Sequence, residues 1–273
     1  MKILNTIPLI LMAALLFFSA AGPVGAYDFK EEKSTHFIVY YDKSVSSDFV
    51  RTVLDHMERY YNELTQKLGL VRHDYWTWDK RAKIYLYPDQ ETYIRETGQP
   101  SWSGGVAAYD QKTIWTFPRE SGFFDSLLPH EIGHIVLREA IGSRRVPLWF
   151  EEGIASYLEQ AKRYGAQKKV LDAMASKTFI PLEQLSLMDS ASLQSPLTDV
   201  SLFYAEAVSV VNFLIEKYGV DKFGYLFRKI REGLPFDSAL AYAYFEIRST
   251  ADLGTYWENS LKQKMRQTSG TVL

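Results

Sequence analysis

The chain has 273 residues, 31 basic against 33 acidic side chains, a formal net charge of −2 and no cysteine. Near-neutral charge points away from nucleic acid and from anionic membranes as partners. The missing cysteines exclude disulfides, thiolate metal sites, a thiol nucleophile and a lipidated N-terminal cysteine, so stability must come from burial, which a 15% aromatic content supports.

In chain order, Met1 and Lys2 begin a short positive start, "ILNTIPLILMAALLFFSAAG" is an apolar run, and Val24-Gly25-Ala26 has the small-residue pattern of a cleavage site. Residues 1–26 therefore read as an export signal, the mature chain starting at Tyr27 in a secreted or otherwise extracytoplasmic protein. An uncleaved segment would instead anchor the protein to a membrane. "THFIVYYD" alternates and is β-branched and aromatic, which predicts a strand. Phe49, Val53, Met57, Tyr60, Tyr61, Leu64 and Leu68 recur at helical spacing, predicting a helix over Ser46 to Leu68, with Gly69 at its end. "RAKIYLYP" is a second strand, and "GGVAAYDQKTIWTFP" one or two more, turning at Asp110-Gln111.

After Pro129 nearly everything reads as helix: Leu148 to Arg163, Ala166 to Ser176, Ser201 to Tyr218, Lys222 to Glu232 and Asp252 to Lys264. The class predicted is α+β, a small N-terminal mixed sheet followed by an all-helical C-terminal half. The organisation predicted is an export signal (1–26), a sheet-containing core (27–165) and a helical C-terminal subdomain (166–273).

At the junction lies "SLLPHEIGHIVLREAIG", which holds two of the chain's five histidines. On a helix advancing about 100° per residue, His130, His134 and Glu131 fall at about 0°, 40° and 100°. Imidazoles one turn apart can share a metal ion, and Glu131 stands beside that ion as a base for water. The motif is short enough to arise by chance. The helix around it is apolar almost all round, however, and burying two imidazoles and a carboxylate is costly unless a partner such as a cation is present.

A catalytic metal site usually has three protein ligands and an open position. The third is expected from "VPLWFEEGIASYLEQ", a second helix starting near Pro147 after a short break and lying antiparallel to the first. Glu151 and Glu152 both qualify. Phe150, Ile154 and Leu158 define the apolar face, and Glu151 lies nearer to it, so periodicity leaves the choice open.

"HEIGH" followed by "LWFEEGIASYLE" resembles the gluzincin metallopeptidases, including aminopeptidases of the aminopeptidase N type and bacterial peptidase MA-like domains, where a W-x-x-E-G-x-A-x-Y segment follows H-E-x-x-H. The resemblance implies a zincin-like fold, a Zn2+ cofactor and a peptide or protein substrate. It makes Glu152, directly before the glycine, the third ligand beside His130 and His134, and Glu131 the catalytic base. Seventeen residues separate His134 from Glu152, one fewer than the usual aminopeptidase spacing, a difference that falls in the inter-helix loop. "SGGVAAYD" occupies the place of the family's edge strand, which pairs with substrate backbone. The G-x-M-E-N segment that aminopeptidases use to read a free N-terminus is absent, so aminopeptidase activity is not implied. A later helix often supplies an oxyanion-stabilising tyrosine, which makes Tyr204 in "LFYAEAVSVVNFLIEKYG" the candidate and Tyr157 a second. The remaining histidines, His36, His56 and His73, have no metal spacing. Two other readings stay open: a non-catalytic zinc-containing binding module of the same fold, and an exported structural protein with a chance motif.

Overall fold

A computed structural model of the chain describes residues 27–69 and 76–270. The export segment and His73 lie outside the described residues. Five strands, β1 (Lys30–Lys33), β2 (Phe37–Tyr41), β3 (Ala82–Leu86), β4 (Gly105–Ala108) and β5 (Thr113–Thr116), form one mixed sheet in the order β1-β2-β3-β5-β4. The central β2, β3 and β5 are parallel, and β1 and β4 run antiparallel at the two edges.

Alternation divides the sheet into two faces. Val39, Ile84, Ile114 and Ala107 are aligned across four strands and look onto the main core. On the other face Tyr40, Tyr85 and Trp115 share a register line, and their rings stack at 4.9 and 5.8 Å between centroids. Parallel pairing of β2 with β3 requires a crossover, which α1 (Ser47–Lys67) supplies. Ser46 caps α1 by accepting from the Phe49 amide, and its buried stripe of Val50, Val53, Leu54, Met57, Tyr60, Tyr61 and Leu64 covers the core face. α2 (Gln90–Thr97) covers part of the opposite face through Tyr93.

Helices follow: α3 (Leu128–Ile141), α4 (Leu148–Ala155), α5 (Gln160–Ser176), α6 (Leu182–Leu187), α7 (Ser190–Gln194), α8 (Val200–Tyr218), α9 (Val220–Arg231), α10 (Phe236–Ala243) and α11 (Thr250–Gly270). The α+β arrangement thus matches expectation, with two corrections in detail. Polar "KEEK" forms an edge strand that no hydrophobic alternation announces. The single helix expected over Leu148 to Arg163 is two, parted by a 3-10 turn at Ser156–Leu158 and by Glu159 at ψ 89°. The β4–β5 turn falls where expected, around Asp110-Gln111, as a 3-10 turn over Tyr109–Gln111 closed by Lys112 at φ 50°. One continuous apolar cluster, from Phe37 to Leu261, joins the sheet to the helices, and α5 runs through residue 165.

Within that core Glu206 on α8 is fully buried; it accepts a 3.0 Å bond from the Ile180 amide, while its Oε2 has no partner among the described residues. Burial, with a smaller push from Asp199, raises its pKa from 4.5 to about 8. The folded carboxyl therefore keeps its proton at pH values where the unfolded chain has released it, and its contribution to stability is lost as pH rises from about 4.5 to about 8. Glu206→Gln keeps the bond from Ile180 and cannot ionise. Its stability relative to wild type, read from urea unfolding, should grow between pH 5 and pH 8 by up to a few kcal/mol; a difference independent of pH would contradict this.

Candidate metal centre

The centre is built on α3, which is entered through one π-helical turn at Phe123–Leu127 with Pro129 in its first turn, where no amide partner is lost. All but Arg138 and Glu139 of its residues are buried, so it is a core helix that carries His130, Glu131 and His134 inward. α4 and the turn after it run back along α3: Arg138 pairs with Glu151, Gly133 stands against Ala155 and His130 meets Glu159.

Two glycines permit the close approach. A Cβ on Gly133 would stand 2.6 Å from Ala155 Cα, and one on Gly153 would stand 2.5 Å from the Ala207 carbonyl oxygen. α4 is thereby wedged between α3 and α8 with backbone nearly against backbone on both sides. Its rotation sends Glu152 to the histidines and Glu151 to Arg138, which also donates a 2.9 Å bond to the Arg144 carbonyl. This packing brings Glu152, and not Glu151, to the histidines.

His130 Nε2 and His134 Nε2 face each other at 3.2 Å, and Glu152 oxygens lie 3.4 Å from the first and 3.8 Å from the second. The three donor atoms fall within 4.8 Å of one another, and this is the one such group of histidines and acids among the described residues. His130, Glu131, His134 and Glu152 are each only 1–2% exposed, and Oε2 of both Glu131 and Glu152 has no hydrogen-bond partner among the described residues. Two imidazole nitrogens in mutual contact beside an unpartnered carboxylate oxygen are what a divalent cation would resolve: it accepts from all three at once.

Glu159, which no sequence reading singled out, completes the arrangement. Its carboxylate accepts from His130 Nδ1 at 2.8 Å, from Lys162 Nζ at 2.7 Å and from the Ser126 hydroxyl. A proton fixed on Nδ1 leaves the Nε2 lone pair directed at His134 and Glu152, as a metal ligand requires. The acid follows the helix break at Ser156–Leu158, so helical periodicity could not reach it. An acid closing the otherwise apolar "IASYL" was the available signal. If the cluster holds a divalent cation, Glu159→Gln should weaken its affinity about 10- to 100-fold, measured by competition with a chelator; unchanged affinity would reduce Glu159 to a packing role.

Without a cation, the charges at the centre are set against one another. Burial opposes the charge on His130, but bonds to Glu152 and Glu159 outweigh it and raise its pKa. Burial depresses that of His134. Glu131 is raised by burial from 4.5 to about 7, whereas Glu152 is held low by the two histidines against the pull of burial. Tyr204 on α8 is 5% exposed, its ring centroid 6.2 Å from that of His130 and 4.8 Å from Lys162 Nζ. Burial and then the Glu152 carboxylate hold its phenol well above the ordinary range. Tyr157 instead packs under Arg163 and lines the groove between α5, α8 and α11. His36 pairs with Glu58 at 2.6 Å and His56 meets the Tyr60 hydroxyl at 3.0 Å, both on the α1 side of the sheet.

Residues 72–263, more than two thirds of the chain, match the family model described as Peptidase MA superfamily. The protein belongs to the Peptidase MA superfamily. No curated protein matches the chain. The His130, His134 and Glu152 cluster lies within the matched residues. No helix among the described residues is long and apolar enough to cross a membrane.

Proposed function

We propose that this Peptidase MA protein is an extracytoplasmic zinc metallopeptidase, with His130, His134 and Glu152 as the metal ligands, Glu131 as the general base and Tyr204 as a donor to the oxyanion. The observation that carries the reading is the buried convergence of two Nε2 atoms and a Glu152 oxygen beside a Glu131 carboxylate that has an unpartnered oxygen. When bound there, zinc supplies a Lewis acid that acidifies water and polarises a carbonyl.

Glu131 takes the proton from the attacking water and delivers it to the departing amine, a role supported by its buried carboxylate with one oxygen unpartnered among the described residues. Glu159 holds the His130 tautomer, and Lys162 offsets the negative charge that Glu159 brings. Tyr204 faces the centre from α8, where a phenol can donate to an oxygen that becomes anionic. A purely structural zinc site, normally closed by four ligands, would leave Glu131 buried to no purpose. A cleaved export signal at residues 1–26 belongs to the same proposal, and N-terminal sequencing of exported protein beginning at Tyr27 would support it.

The test is cleavage of a peptide library by the mature chain. Cleavage should vanish with a chelator and return with added zinc, and chelation should lower Tm, since a ligand bound to the folded state stabilises it. Cleavage indifferent to the chelator, or none with zinc supplied, overturns the proposal.

A further inference from the structure

One tyrosine that neither the motifs nor the family match points out stands against the centre from the side of the sheet. β4 is an edge strand, hydrogen-bonded to β5 on one side only. At Ala108 the chain leaves it for the 3-10 turn, and the left-handed Lys112 at φ 50° closes that turn back into β5. This bend lays the Tyr109 ring on the His134 imidazole, with centroids 4.7 Å apart and planes 23° from parallel.

Because His134 Nε2 is the atom that meets His130 and Glu152, a ring stacked on this imidazole lies at the wall of the centre. The charges that act on its hydroxyl, after burial, are those of Glu131, Glu152 and Glu151, followed by Tyr204. Other tyrosines in the fold spend their hydroxyls on protein partners: Tyr27 on Asp42, Tyr93 on Ser103, Tyr218 on Glu246 and Tyr60 on the Phe124 carbonyl. Tyr109 is half-buried; its carbonyl accepts from the Lys112 amide in the turn, and its hydroxyl has no hydrogen-bond partner among the described residues. Three of the groups acting on it are carboxylates, and carboxylates cannot stabilise an oxygen that is gaining negative charge. A phenol, protonated at neutral pH, can.

We propose that Tyr109 is a catalytic residue, its hydroxyl donating a hydrogen bond from the sheet side to the scissile carbonyl oxygen as that oxygen becomes anionic. Tyr204 would then act from α8 and Tyr109 from the turn after the edge strand, one on each side of the two histidines. The inference rests on the peptidase reading above. Its competitor is a wedge whose ring merely steadies His134.

Tyr109→Phe separates the two, because it keeps the stacked ring and removes only the hydroxyl. With zinc content and Tm as in wild type, kcat should fall about 100- to 1,000-fold with little change in KM, the usual loss for one oxyanion donor. By calorimetry, a phosphinic peptide, whose tetrahedral P–O⁻ imitates the oxyanion, should bind more weakly by a similar factor, and a plain product peptide should bind as before. Unchanged kcat and phosphinate affinity in Tyr109→Phe, with an active wild type, overturn the proposal and leave the peptidase reading intact. Loss of zinc in Tyr109→Phe also overturns it, making Tyr109 a positioning residue for His134. A wild type that binds zinc but cleaves nothing overturns both.

Discussion

Glu131→Gln should bind zinc as wild type does and lose at least about 100-fold in kcat, the lower end of what general base catalysis contributes. Glutamine has nearly the same shape and can still accept a hydrogen bond, but it cannot hold the proton of the attacking water. Glu131 is also not one of the three side chains whose donor atoms converge, so its replacement leaves the ligand set whole. A second consequence separates this residue from a ligand. Glu131 is 1% exposed, with one oxygen unpartnered and its pKa raised mainly by burial, so its ionised form is costly to the fold. The variant should be at least as stable as wild type while being inactive, which is the trade expected where a strained group is kept for function. Retained turnover would remove Glu131 from the chemistry and favour the binding-module reading.

Glu152→Ala should lose zinc, and with it all cleavage. With two imidazoles left and no third donor, affinity should fall by more than the about 10- to 100-fold typical of losing an outer partner such as Glu159. Glu151→Ala is the matched control. Its acid belongs to Arg138 on the flank of α3, so the variant should be less stable but keep zinc. The reverse result, zinc lost with Glu151 and kept without Glu152, would mean that α4 is rotated in solution relative to the packing that Gly133 and Gly153 impose.

That pair of acids shows what the sequence made legible and what it did not. The histidine helix was readable because a 3.6-residue period and a four-residue spacing are local properties, and β2, β3 and the β4–β5 turn were readable from alternation. Choosing between Glu151 and Glu152 depends on how α4 is rotated between α3 and α8. That rotation is fixed by contacts of Gly153 with Ala207, more than fifty residues away, which no local period encodes. Glu159 escaped because it follows a break at Ser156–Leu158, where helical phase is lost. Tyr109 escaped because nothing in "AAYDQ" shows that a tight turn will stack it on a histidine. β1 escaped because its polar residues pair only with β2 and bury little. The short helices α2, α6, α7 and α10 carry too few turns for a period to show.

The central claim is that His130, His134 and Glu152 together hold one metal ion. Its most direct test is native mass spectrometry of the mature chain after zinc is supplied at neutral pH and the excess is removed. One zinc per wild-type chain, absent from His134→Ala, is the result the geometry predicts. A wild-type chain that comes through with no metal, while folded, would contradict it and leave the two histidines as core packing.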